Sequence, residues 1–161
     1  MRYRCKRASE GVVIMVREGP FMPRPPFEIL EHTADVGIVA HGGSLAELFA
    51  NAATGMFAIM AELEGVRQTE ERQIQVEGRD HEGLMVRWLT ELLYYLDAEE
   101  LLFSRFVVEE VSETRLRARA FGERIDAERH RLHFGVKAVT RHMLEVAPEE
   151  AGYRAQVLFD I

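Results

Sequence analysis

The spacing of apolar and polar positions divides this chain into a strand, helix, strand, helix succession followed by strands only. Phe27 to Ala40 reads as strand on both sides of a polar interruption, Glu31-His32-Thr33-Ala34-Asp35-Val36-Gly37, and Gly42-Gly43 supply the turn that follows. Ser44 then N-caps a helix, with Glu47 three residues on to complete a capping box. Leu45, Leu48, Phe49, Ala52, Met56, Ile59, Met60 and Leu63 recur at helical spacing, up to a stop at Gly65. Alternation in Gln73-Ile74-Gln75-Val76-Glu77 predicts a half-buried strand. Asp80 caps a second helix with an apolar band of Leu84, Trp88, Leu89, Leu92, Leu93, Tyr95 and Leu96, which makes Trp88 a core residue.

Strands follow at Leu102 to Val111, Arg115 to Phe121, Leu132 to Val146 and Tyr153 to Phe159. Gly122 to His130 reads as a loop or weak strand turn, and Pro148 to Gly152 joins the last two strands. With no regular βαβ alternation in the second half, the order predicts an α+β fold: a largely antiparallel β-sheet with two amphipathic helices packed on it. Residues 1–26 differ from this pattern and end in Pro20-Phe21-Met22-Pro23-Arg24-Pro25-Pro26, which suits neither helix nor sheet. They read as a flexible N-terminal extension or an over-called start, with 27–161 as a single domain.

Composition narrows the function. A chain of 161 residues, 47% hydrophobic and 29% charged, suffices for one core. The net charge of −7 argues against a protein that grips nucleic acid mainly by its phosphates. Lys6 and Lys137 are the only lysines among 20 basic residues, so Lys137 stands out. Cys5 is the single cysteine, which excludes an intrachain disulfide and a Cys-based zinc site and fits a reducing cytoplasm. The run Val12 to Val16 is cut short by Arg17 and Glu18, and no stretch has membrane length, so a soluble cytoplasmic protein is expected.

Three features carry candidate chemistry. Asp35 interrupts an apolar run, so it is solvated at a sheet end, paired, or holding a cation. Asp160 and Ile161 end the chain directly after Val157-Leu158-Phe159. Were that terminal strand to lie beside the Asp35 strand, Asp35, Asp160 and the Ile161 α-carboxylate would form a set of hard oxygen donors suited to Ca²⁺, Mg²⁺ or Mn²⁺. By spacing alone, a solvated Asp on a frayed terminus is the plainer account. In Val136-Lys137-Ala138-Val139-Thr140-Arg141-His142, alternation puts Lys137 and Arg141 on one face and His142 on the other. Lys137 suits an anion or Asp35, or simply snorkels at the surface. His32 and His142 are candidates for ligand or acid-base roles, with structural histidines as the plainer account. Arg115, Arg117 and Arg119 share a strand face that could touch phosphates or stand in solvent. No nucleophile arrangement or phosphate loop is present, so no catalytic residue is assigned.

Together, His32-Thr33-Ala34-Asp35-Val36-Gly37, Ser44 to Phe49, Lys137-Ala138-Val139-Thr140 followed after one residue by His142, and Val157-Leu158-Phe159-Asp160-Ile161 resemble the archease family, in family order over Phe27 to Ile161. The resemblance implies a non-enzymatic cofactor of an RtcB-type tRNA-splicing RNA ligase, one that promotes ligase guanylylation and multiple turnover. It also implies a divalent cation, calcium or Mg/Mn, at Asp35, Asp160 and Ile161. An older description of the family, as a chaperone-like modulator of a tRNA methyltransferase, gives the alternative, with weak or indirect tRNA contact. Arg141 stands where the family commonly has Tyr, and residues 1–26 lie outside the family pattern.

Overall fold

The computed structural model describes residues 2–7, 13–18, 25–31 and 35–161. Its strands are β1 Arg2–Arg7, β2 Val13–Glu18, β3 Phe27–Glu31, β4 Val36–Gly42, β5 Glu70–Glu77, β6 Leu101–Val111, β7 Arg115–Arg124, β8 Ala138–Glu149 and β9 Gly152–Asp160. The helices are α1 Leu45–Met60 and α2 His81–Glu99. The α+β class and the antiparallel pairing agree with the pattern, but the strands form two sheets. One runs β1-β2-β3-β4-β9-β8, the other β5-β7-β6, and every named pair is antiparallel.

The helices lie between the sheets. α1 packs against β4 on one side and β6 on the other, and α2 against β8 and β5. This sandwich explains a feature of α1 that a one-sided helix would lack. Its buried residues include Leu48, Phe49, Ala52, Ala53, Met56, Phe57, Ile59 and Met60, more than a single stripe, because sheets cover two of its faces. The sheets turn alternate residues inward, Ile38, Ala40, Val157 and Phe159 from one, Ile74, Leu116, Ala118 and Ala120 from the other. Trp88 is fully buried as expected, and its indole N–H donates to the Phe49 carbonyl at 2.9 Å, tying α2 to α1.

Both N-caps form. The Ser44 Oγ accepts from the Glu47 N–H at 3.2 Å, and the Glu47 carboxylate reaches back to the Gly43 N–H at 2.9 Å, one residue earlier than in the standard box. Asp80 Oδ1 accepts from the Gly83 N–H at 2.7 Å. α1 ends at Met60 rather than near Gly65. Its last turn is taken over by residues 131–133, where the Glu62 N–H donates to the Arg131 carbonyl at 3.0 Å and the His133 N–H to the Met60 carbonyl at 2.7 Å. That pairing also explains why β8 begins at Ala138, six residues later than the apolar pattern suggested.

Within residues 1–26, read as a flexible N-terminal extension or an over-called start, residues 2–7 and 13–18 are strands that continue the sheet from β3, with Val13 opposite Glu31 and Met15 opposite Ile29. Val13, Ile14 and Val16 are β-branched and favour that geometry. Among the described residues, no helix is long and apolar enough to cross a membrane.

Candidate metal centre

The site is built by register. β4 pairs β9 with Val36 opposite Phe159, and β9 pairs β8 with Asp160 opposite Ala138. One step beyond the Val36–Phe159 pair stand Asp35 and Asp160, on neighbouring strands at the same end of the sheet. Val36 and Phe159 are buried against the helices, so alternation sends Asp35 and Asp160 to the opposite face. Asp160 is exposed and Asp35 half-buried. One row further, Lys137 stands opposite Ile161.

The chain terminus is held in place here. The Lys137 N–H donates to the Asp160 carbonyl at 2.7 Å, and the Ile161 side chain packs against the core. The backbone bonding of the sheet therefore reaches Asp160, the residue before Ile161. Gly37 lets β4 and β9 close up under the site. A Cβ at that position would lie 2.5 Å from Leu158 Cδ2 and 2.8 Å from the Val157 carbonyl oxygen, so any side chain would prise the strands apart.

Among the described residues, no group of three or more His, Cys, Asp or Glu side chains is gathered as for a metal ion. The donors that register does bring together are the Asp35 and Asp160 carboxylates, to which the Ile161 α-carboxylate is the expected third, all hard, anionic oxygens. Such a set fits Ca²⁺, Mg²⁺ or Mn²⁺, and without a counter-charge the three groups repel one another. The donor chemistry thus suits the expected group. His32 lies outside the described residues.

Lys137 is exposed and adjoins the site through its backbone N–H to Asp160, whereas His142 lies further along β8. The alternation expected through His142 holds only to Thr140. Between the Thr140–Leu158 and Glu145–Gln156 pairs, β8 carries a bulge that turns Arg141, His142 and Met143 outward together. No ion pair among the described residues involves Lys137.

The Arg row is neutralised. Arg115 pairs with Glu77 at 3.3 Å, Arg117 with Glu110 at 3.3 Å and Glu109 at 3.6 Å, and Arg119 with Glu109 at 2.5 Å and Glu71 at 3.6 Å. The glutamates come from the two strands that flank β7.

A second polar centre has no local sequence signal. Glu123, on β7, is buried and accepts from Arg129 at 2.6 Å, from the Arg67 N–H at 2.9 Å and from the buried His130 Nε2 at 2.8 Å. His130 Nδ1 accepts from the Asp126 N–H at 2.9 Å, which leaves the ring proton on Nε2, facing the carboxylate. Burial pushes the Glu123 carboxyl up, but the Arg129, Arg67 and His130 hydrogen bonds outweigh it and hold the pKa down to about 2. This network clamps the 125–133 loop and is structural.

Residues 27–161 match the model of the Archease protein family. The chain is 40% identical over 139 residues to the protein archease of Methanosarcina mazei, covering 84% of this chain and 95% of that one. It is 38% identical over 136 residues to that of Sulfurisphaera tokodaii, covering 84% and 98%. The chain belongs to the archease family. The family's solved structures agree with its fold. A solution structure of a Methanobacterium thermoautotrophicum protein superposes with a TM-score of 0.74 at 40% identity, covering 84% of this chain and 99% of that one. The crystal structure of a Thermotoga maritima archease, described as a possible chaperone, has a TM-score of 0.58 at 20% identity over 89% of this chain and 100% of that one, a likeness of fold alone. The archease match begins at Phe27, so β1 and β2 precede the matched region.

Proposed function

We propose that this archease is a non-enzymatic, metal-binding activator of an RtcB-type tRNA-splicing RNA ligase in the cytoplasm, promoting ligase guanylylation and multiple turnover. One observation supports this reading above the others: register sets Asp35 beside Asp160 at the sheet end where the Lys137 N–H holds the Asp160 carbonyl. Asp35, Asp160 and the Ile161 carboxylate would hold the divalent cation, which when bound supplies positive charge for phosphate oxygens. Lys137, one row away, adds a cation of the protein's own for a nucleotide or RNA phosphate. No residue here is assigned a catalytic step.

The test combines the protein with an RtcB-type ligase, GTP, divalent metal and RNA carrying a 3′-phosphate. Stimulated turnover is expected with the intact chain, and is expected to vanish with Asp35→Ala or on removal of Asp160 and Ile161. Unchanged turnover with the intact protein, or stimulation that survives both changes, overturns the reading.

The second reading, a chaperone-like or RNA-binding modulator of a tRNA-modifying enzyme such as a methyltransferase, draws on the description of the Thermotoga protein. Its RNA-binding form loses support from the paired arginines, since Arg115, Arg117 and Arg119 already share their charge with glutamates. Direct tRNA binding that weakens steeply with salt would favour it over the ligase reading.

A further inference from the structure

Among the described residues, two buried side-chain polar atoms make no hydrogen bond, Arg119 Nε and Thr140 Oγ1. Arg119 Nε lies in its ion pair with Glu109, which leaves the Thr140 hydroxyl as the one without any polar partner. A buried hydroxyl that neither donates nor accepts costs stability, and a valine of nearly the same shape would avoid that cost on a strand. The position therefore keeps a polar atom that the fold itself does not use.

Register identifies the neighbours of that hydroxyl. Thr140 stands opposite Leu158 and Ala138 opposite Asp160, while Val139 and Phe159 between them pack on the core. Thr140, Leu158 and Asp160 thus share the outer face that also carries Asp35. The corner has two rows: Asp35, Asp160 and Ala138 at the sheet end, and Gly37, Leu158 and Thr140 one row in. Leu158 leans over Gly37, its Cδ2 filling the space a Cβ would take there, so Thr140 is the sole polar side chain of those three.

The alternatives to Asp160 as a partner are already engaged or absent. β8 is the last strand of its sheet, so no strand lies beyond Thr140. Of the two residues diagonal to it on β9, Gln156 has its amide occupied at both ends, Nε2 donating to the Met143 carbonyl at 3.1 Å and Oε1 accepting from Arg154 at 3.2 Å. The other is Asp160, whose exposed carboxylate makes no hydrogen bond or ion pair among the described residues. Diagonal cross-strand neighbours have Cβ atoms somewhat under about 7 Å apart, which a hydroxyl, a carboxylate and a hydrogen bond of about 2.7 Å together span.

We propose that Thr140 is a positioning residue of the cation site: with a divalent cation bound, its hydroxyl donates to the Asp160 carboxylate and fixes that ligand's orientation. Hydrogen bonds behind ligating carboxylates hold them in place, and their loss weakens metal binding. A hydroxyl serves here better than a lysine or arginine, because it steadies the carboxylate without competing with the cation for its charge. The inference rests on the proposed cation site and adds to it how one ligand is held.

The test titrates Ca²⁺ and Mn²⁺ into the full chain by calorimetry, with Asp35→Ala, Thr140→Val and Thr140→Ser, and melts each protein in chelator and in excess Ca²⁺. Thr140→Val is expected to bind roughly tenfold or more weakly, and Thr140→Ser, which keeps the hydroxyl, close to the unaltered chain. In chelator Thr140→Val is expected to melt no lower than the unaltered chain, since it removes an unpartnered buried hydroxyl, but to gain less from Ca²⁺. A purely structural role for Thr140 predicts the reverse, a lower melting temperature in chelator. If Asp35→Ala weakens binding while Thr140→Val binds both ions as the unaltered chain does, the inference is wrong and the cation site stands. The same holds if Thr140→Ser binds as weakly as Thr140→Val, or if Thr140→Val melts lower in chelator. If the unaltered chain binds neither ion, the cation site fails and takes the inference with it.

Discussion

Glu123 shows how one side chain can carry a disproportionate share of stability. Its carboxyl is held near 2 in the folded protein against 4.5 for the free group. A depressed folded pKa means stability that is fully present above 4.5 and is lost as pH falls from 4.5 toward 2. The shift corresponds to on the order of 3 kcal/mol at neutral pH. Melting temperatures across that range are expected to fall steeply for the unaltered chain and less steeply for Glu123→Gln. At pH 7 the variant should already be destabilised by about 1–3 kcal/mol, because Arg129 loses its buried partner. Gly122, the preceding residue, tolerates no side chain for a different reason. A Cβ there would sit 2.0 Å from the Leu102 carbonyl oxygen, so Gly122→Ala must push β6 from β7. Urea denaturation is expected to show a loss of about 2 kcal/mol or more.

At the scale of the element, the ends of helices and strands matter more than their middles. α2 ends on Glu100, with φ +55°, in a conformation for which glycine is preferred. Its N–H donates to the Tyr95 carbonyl and its carbonyl accepts from the Ile125 N–H at 2.8 Å, so the cap geometry is fixed by the backbone and not by the side chain. Glu100→Gly is therefore expected to stabilise the protein by about 0.5–1 kcal/mol, measured by denaturant midpoint. β9 illustrates the opposite dependence. Its last residue, Asp160, is positioned by β4 and β8 on either side, and Gly37→Ala should separate β4 from β9 under Asp35. The expected outcome is weaker Ca²⁺ or Mn²⁺ binding by titration, by roughly tenfold or more, with the carboxylates untouched.

For the whole molecule, the distribution of charge decides which surfaces are open to partners. The face formed by β5, β7 and β6 is a ladder of cross-strand Arg–Glu pairs, each worth little to stability yet together cancelling the field of the Arg row. Arg117→Ala is accordingly expected to change tRNA affinity by less than about twofold in a filter-binding assay, because its charge is already shared with glutamates. In the other sheet Asp35 and Asp160 stand at the ends of β4 and β9, while Lys137, just before β8, and Arg141, on it, take part in no ion pair among the described residues.

Both helices, their N-caps and the period-two strands were legible in the sequence, because a capping side chain and an apolar stripe act over four to eight residues. Asp35 and Asp160 were also legible as polar or terminal anomalies, and the archease motifs named them together. Only the tertiary structure set them side by side, since antiparallel register between β4 and β9 relates positions 125 residues apart, from 35 to 160. It likewise split one expected sheet into two around α1, closed the Glu123 network through a backbone N–H 56 residues away, and paired the Arg row with glutamates from the flanking strands. Local sequence determines which residues can form an element and which face of it is apolar. What meets that face, and which charges are cancelled there, is decided by strand order and register, whose energetics belong to contacts between distant parts of the chain.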